Sequence, residues 1–345
     1  MTLYLLIFLF PALFALLNFD LKSNLQKLLF YTFGFFLICF VGLRFENGVD
    51  WWNYLIFQSF YEDADFFGVF ELQDPGYGLL NWLSYKLFDG SIFFVNFISA
   101  LIFISGVLIF SKHMPSPWLS LTISLSFLII VMGMNYTRQS SALGFALIAI
   151  TYLFKQKQFK FFIYVFLAIT FHKSAIILLP LALLGVKRKL IIFTSLLFLS
   201  PILFYVFVST YIEAMIDLYL TGSGMDSAGA FIRVSLSFIA SIFYFLYRQS
   251  LVLDLNIQKI FDAMAVINAI LFIMLFIFPS TTVIDRFALF FTPIQLFMFS
   301  ALPFVLKPFP LTLLIVVFVY AAQLYLWLSY SDYATLWIPY NFWIF

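Results

Sequence analysis

Arginines placed where hydrocarbon should end are the first residues here with chemistry to offer. Arg44, Arg138, Arg233 and Arg286, with Lys86 and Lys173, sit at or near the ends of apolar runs. A guanidinium in that setting is costly unless it meets an anion, and its planar fork matches two phosphate or carboxylate oxygens at once. Arg138 is the best placed, because N-Y-T-R-Q opens a helix whose positive dipole end favours the same anion. The competing reading is that each arginine snorkels to headgroups or pairs with a neighbour, as Arg286 would with Asp285. His172, in F-H-K-S, can take a hydroxyl proton near neutral pH, or can bond a carbonyl freed by a helix break. Asp50, in N-G-V-D-W-W, is a candidate general base or a turn cap. Asp74, in D-P-G-Y, marks a turn and can cap the next helix or bind sugar hydroxyls. Trp51, Trp52, Tyr54, Tyr77 and Trp82 can stack on sugar faces or form an interfacial aromatic belt.

The chain that must position these groups is 345 residues long, 64% hydrophobic and 10% charged, with a mean hydropathy of +1.07. Too little polar surface exists to cover a soluble globule, so the fold class is an all-α polytopic membrane protein. Apolar runs near 3–18, 28–44, 91–111, 118–135, 139–154, 190–208, 230–247, 258–278, 286–305 and 309–328 predict about ten full spans. Placing the lysine-rich and arginine-rich connections in the cytoplasm puts twelve of the eighteen Lys and Arg inside and both termini outside. Thirteen of sixteen carboxylates then fall outside.

The densest polar stretch is 45–90, expected as an outer loop with an interfacial or re-entrant helix over 78–89. From Glu46 to Asp89 it carries eight carboxylates and one basic residue, Lys86, so it must meet water or a wet cavity. Both ends of 159–184 map to the cytoplasm, which predicts a helical hairpin broken at Phe171–Ser174. At 1.5 Å per residue that break lies about 18 Å deep, where irregular backbone is tolerated only beside protein or a cavity. A second outer loop is expected over 209–229, and the whole chain, 1–345, is expected to be one transmembrane catalytic domain. The first apolar run has neither a basic lead-in nor a small-residue cleavage site, so it is expected to stay. Cys39 stands alone and two histidines are present, which excludes an intrachain disulfide and the usual Cys/His zinc sites. Asp63 and Asp65 give a weak D-x-D spacing for a divalent ion. No P-loop, nucleophile elbow, internal repeat or nucleic-acid signature is present.

Together these stretches resemble the EpsG-like branch of the Wzy-type O-antigen and capsular polysaccharide polymerases. The matching pieces are R-F-E-N-G-V-D-W-W-N-Y, D-P-G-Y-G-L-L-N, R-Q-S-S-A-L-G-F-A, F-H-K-S-A-I-I-L-L-P, V-I-D-R-F-A-L-F-F and W-I-P-Y, in order over most of the chain. Asp74 stands where the family more often has Glu. The resemblance implies an inner-membrane glycosyltransferase of GT-C type that moves a glycan from undecaprenyl diphosphate to the terminal sugar of a lipid-linked repeat unit. It implies no cofactor and no metal, a lipid bilayer around the protein, a site facing the periplasm, and a flippase and chain-length regulator as partners. Arg138 and Arg286, with Arg44 and Arg233, would hold the leaving diphosphate, and His172 or Asp50 would take the acceptor proton. Asp74, Tyr77, Asn81, Gln139 and Tyr340 would meet the substrate. The alternatives are an O-antigen ligase, which carries a large late outer loop lacking here, and a lipid-linked oligosaccharide flippase, which should show repeat symmetry. A membrane acyltransferase is a further alternative, set apart by its need for a catalytic histidine near a cytoplasmic donor.

Overall fold

A computed structural model describes residues 1–72, 74–185, 227, 229–278 and 280–343. Their regular structure is helical, and the only strand-like feature among them is an isolated antiparallel bridge between Arg44 and Phe342. Among the described residues six helices are long and apolar enough to cross a membrane: Asn24–Gly42, Ile92–Ser111, Pro117–Asn135, Ala230–Leu251, Leu255–Ile277 and Phe309–Tyr330. A bent pair, Thr281–Phe291 with Pro293–Val305, makes seven if it is one span.

Ten uninterrupted crossings therefore become six or seven among the described residues, for local reasons. Thr2–Leu16 has 15 residues, short of the roughly 20 a span needs. The run at 286–305 bends by 54° where Pro293 removes an N–H donor and crowds the preceding turn. Thr137–Phe154 opens on five polar residues, Thr137, Arg138, Gln139, Ser140 and Ser141, which lowers its apolarity. The crossing expected at 190–208, and the 209–229 loop apart from Ser227 and Gly229, lie outside the described residues. The second span starts earlier than its apolar run because Ser23 and Gln26 close a capping box, with Gln26 N donating to Ser23 Oγ at 3.1 Å.

The chain divides into two units. The first comprises Met1–Ile148, Phe166–His172 and Phe299–Phe345; the second comprises Ala149–Val165 and Lys173–Met298. Within the first, Pro117–Asn135 is the central helix and is buried along its length. In lipid, apolar contact alone gives little drive for helix association, so close backbone approach and interhelical hydrogen bonds matter more. Both occur: Gly106 lies against the backbone of Gly144, and a Cβ on Gly42 would come within 2.7 Å of Phe97 Cα. Ser126 donates to Gln323 Oε1 at 2.9 Å, and Ser120 donates to Ser111 Oγ at 3.0 Å. Leu125–Met132 of the central helix winds as π-helix, an irregularity common beside functional sites. It leads to Asn135 and Tyr136, the turn before Arg138.

In the second unit Ala230–Tyr247 packs on Leu255–Ile277, where Phe238 and Phe272 stack at 4.4 Å. Asn268 ties that pair to the bent helix by donating to Phe291 O at 3.2 Å. Gln158–Phe171 ends one residue before His172, and a 3-10 segment, Lys173–Gly185, begins one residue after it.

The 45–90 segment carries a helix where 78–89 was expected to form one, at Pro75–Phe88, and departs from its expected form before it. It folds as Trp51–Ser59, a single turn at Val69–Leu72, and Pro75–Phe88. The reason lies in its aromatic residues: Trp51, Tyr54, Tyr61 and Tyr77 are all buried, so the segment packs against protein where a loop would meet water.

Candidate active site

The floor of the site is built by two sequence motifs far apart in the chain. Arg44, 1% exposed, donates to Val41 O at 2.7 Å, to Asn47 O at 3.3 Å, to Thr137 Oγ1 at 3.2 Å and to Asn96 Oδ1 at 3.4 Å. Asn47 reaches the closing W-I-P-Y-N motif, donating to Pro339 O at 3.0 Å and Trp337 O at 3.3 Å and accepting from Asn341 N at 2.9 Å. Tyr340 donates to Phe40 O at 2.6 Å and stacks on the Phe40 ring at 4.3 Å. Arg44 and Tyr340, expected at the substrate, are thus both engaged by protein groups that pin the C-terminal segment onto the second helix.

Gly48 sits inside this clasp at φ +107, and a Cβ there would come within 2.5 Å of Met134 O. Gly48→Ala combines left-handed strain with a backbone clash, and a cost on the order of 1–3 kcal/mol is expected from the strain alone. The measurement is thermal melting in detergent. An unshifted transition would show that the clasp yields without cost.

Above the floor, Arg138 and Asp74 meet. Arg138 Nη1 lies 3.4 Å from Asp74 Oδ2, with the arginine side chain 30% exposed and the aspartate 8%. Pro75 occupies the first turn of Pro75–Phe88, and Asp74 holds the cap position without bonding that helix through its side chain. Its carboxylate is turned to Arg138 instead. Trp51–Ser59 supplies a further contact, the Phe57 ring, whose centroid lies 5.8 Å from the guanidinium carbon. Burial, the largest influence, pushes the Tyr54 phenol above its usual range, while Arg138 opposes the rise and Asp50 adds to it. Tyr77, whose ring is 5.7 Å from that of Tyr54, is pushed well above its range, chiefly by burial. Both phenols are neutral at cellular pH and do not compete with an anionic ligand.

The remaining candidates in this unit lie on elements next in sequence or contact to those that carry the pair. Asp50 precedes Trp51–Ser59, and its N–H donates to Asn135 Oδ1 at 2.8 Å. Asn81 and Gln139 are buried, and Asn81 donates to Tyr77 O at 2.8 Å. His172 is half-buried, and its N–H closes the last turn onto Ala168 O at 2.9 Å. Thr170 and Phe171, just before it, abut Gly76: a Cβ on Gly76 would meet Thr170 Oγ1 at 2.6 Å and the Phe171 ring at 2.9 Å. The glycine of D-P-G-Y therefore lets the chain bearing His172 approach the start of the helix that follows Asp74. Asp65 accepts from Gly68 N at 2.6 Å, a turn bond that uses one carboxylate of the D-x-D spacing.

Arg233 and Arg286 belong to the second unit. Arg233 Nε donates to Asp285 Oδ1 at 2.9 Å, its Nη2 reaches Asp285 Oδ2, and Ser227 Oγ bridges both partners. Arg233 and Asp285 are buried and Arg286 is exposed. Asp285 thus pairs with Arg233, where the sequence had offered Arg286.

Phe57 is the site residue that sequence reasoning missed, while Tyr54 was offered both as a sugar-stacking residue and as a belt aromatic. Their i, i+3 spacing was the available signal, hidden by reading 45–90 as a loop. Among the described residues no group of three or more His, Cys, Asp or Glu is arranged to hold a metal ion. A family model described as the EpsG family matches residues 27–342. No curated protein and no solved structure matches the chain.

Proposed function

Since the chain belongs to the EpsG family, a family of Wzy-type polymerases, we propose that it polymerises a polysaccharide by transferring a glycan from undecaprenyl diphosphate to a lipid-linked repeat unit. The observation that carries this reading is Arg138, beside a carboxylate and an aromatic ring at a helix N-terminus, with its side chain still 30% exposed. Helix N-terminus and planar fork both suit a diphosphate.

In the proposed reaction an acceptor sugar hydroxyl oxygen bonds to the anomeric carbon of the donor glycan, and the carbon–oxygen bond to phosphate breaks. Undecaprenyl diphosphate leaves with the electron pair, and the acceptor proton passes to His172 or Asp50. Arg138 offsets the charge that grows on the leaving oxygen, a role in which no metal is invoked. Arg286 is the second phosphate-binding candidate. For Arg44 and Arg233, whose donors already serve protein acceptors, the reading favours holding the fold over holding the substrate. Asp74, Tyr77, Asn81 and Gln139 would line the sugar path. A GT-C architecture and an active site on the periplasmic side of the inner membrane belong to the same proposal.

Purified protein in detergent, given lipid-diphosphate repeat units alone, is expected to yield polymer and free undecaprenyl diphosphate. No membrane is there to be crossed, so product means transfer. Unchanged repeat units across a range of lipids and detergents would favour a transporter.

A further inference from the structure

We propose that Trp337 is a positioning residue for Arg138, its indole N–H holding the turn from which the Arg138 helix starts. This rests on the reading of Arg138 as the phosphate-binding group. The central helix needs such a donor where it returns from π to α winding. At the end of the π segment Gly133 N still donates to Leu128 O, five residues back, whereas Tyr136 N donates to Met132 O, four back, at 2.8 Å. Between those two bonds stand three carbonyls, of Ile129, Ile130 and Val131, and two N–H groups, of Met134 and Asn135. One oxygen must therefore look outside the helix backbone, because a buried carbonyl left unpaired is costly. Trp337 Nε1 donates to Ile130 O at 3.0 Å, and both residues are buried.

What this donor fixes is the start of the site. Tyr136 ends the central helix through its N–H and opens the next through its carbonyl, which accepts from Ser140 N at 2.8 Å. One residue thus serves both helices, so the winding of the first sets where Arg138 stands on the second. Asn135, just before it, offers Oδ1 to Asp50 N at 2.8 Å, which hangs a candidate proton acceptor on the same turn. Gly48 closes the turn from the other side, since a Cβ there would come within 2.5 Å of Met134 O. Trp337 is itself held: its carbonyl accepts from Tyr4 Oη at 2.7 Å and from Asn47 Nδ2 at 3.3 Å, and the Trp327 ring meets its ring edge-on at 5.9 Å. The indole is therefore a fixed donor aimed at the one place where the helix is a donor short.

The test removes the indole N–H and little else. Benzothienylalanine at position 337 carries sulfur in place of the nitrogen, so the bulk stays and the donor goes; Trp337→Phe repeats the test with a natural side chain. Polymerisation by either variant is expected to fall about tenfold in kcat, the loss of roughly one hydrogen bond. KM should change less than about twofold, because Arg138 acts on charge that appears in the transition state. Tyr4→Phe is the control: it takes a bond from the same residue's carbonyl, which keeps Asn47, and leaves the indole in place, so kcat should hold. Equal losses in the control would mean that Trp337 merely pins the chain, and would overturn the proposal, as would full kcat without the indole N–H. Amide hydrogen exchange without substrate separates this idea from the polymerase reading. The Tyr136 and Ser140 amides should exchange about tenfold faster in the two Trp337 variants and at the wild-type rate in Tyr4→Phe. Exchange unchanged in every variant would overturn the positioning role even if polymer forms. Faster exchange in a protein whose wild type makes no polymer would leave the hold on the turn standing and remove the polymerase reading.

Discussion

Replacing Arg138 by alanine is expected to cut polymer formation by about 10²–10³-fold, the usual effect of deleting one group that stabilises charge in a transition state. Surface glycan should shrink to a single repeat unit while the protein still reaches the membrane. The expectation follows from placement. Of the arginines in the first unit, Arg44 is 1% exposed and spends its donors on backbone and side-chain oxygens, whereas the Arg138 side chain is 30% exposed. Alanine also strips Asp74 of a cationic partner, which adds a stability term to the loss. Arg138→Lys separates the two effects. An ammonium can still reach the Asp74 carboxylate, but it cannot present two parallel N–H donors to a phosphate. Near-normal melting with little recovery of polymer is expected from the lysine variant. Polymer of ordinary length from the alanine variant would take Arg138 out of the site.

Sequence patterns read the helices well and their interruptions poorly, and the difference has physical causes. Apolar runs locate Ile92–Ser111 and Pro117–Asn135 almost to the residue, because length and composition are what a bilayer demands. Neither property tells whether a chain kinks, so the bend at Pro293 escaped notice within a run that is apolar on both sides. The 45–90 stretch shows the converse. Its charge kept it out of hydrocarbon, but its carboxylates obscured a spacing of Trp51, Tyr54 and Gln58 that is buried on one helical face. Asn47 looked like a turn residue before Gly48, and only the fold reveals that it is the hub joining that turn to Pro339 and Asn341. Partner choice was the least legible feature. Adjacent residues on a helix point about 100° apart, so Asp285 and Arg286 were poor candidates for a pair from the start. The partner of Asp285 lies 52 positions away in the chain, at a distance periodicity cannot bridge.

That pair yields the second large effect. Removing the cation with Arg233→Met should destabilise the protein by about 3–5 kcal/mol, because Asp285 would remain charged and enclosed with Ser227 as its remaining hydrogen-bond partner from this cluster. Adding Asp285→Leu removes the stranded charge, and most of the lost stability is expected to return, as apolar replacements of buried ion pairs commonly allow. Melting temperatures of the two variants in one detergent decide the matter, and equal losses would mean that the charges are not what holds this part of the second unit. The double variant also tests what Arg233 is for. A protein that melts normally and still polymerises needs no guanidinium at 233 for the diphosphate, which leaves Arg233 a purely structural part. Normal melting without polymer would instead return Arg233 to the substrate. The ion pair with Asp285 would then be the resting arrangement of a phosphate-binding arginine.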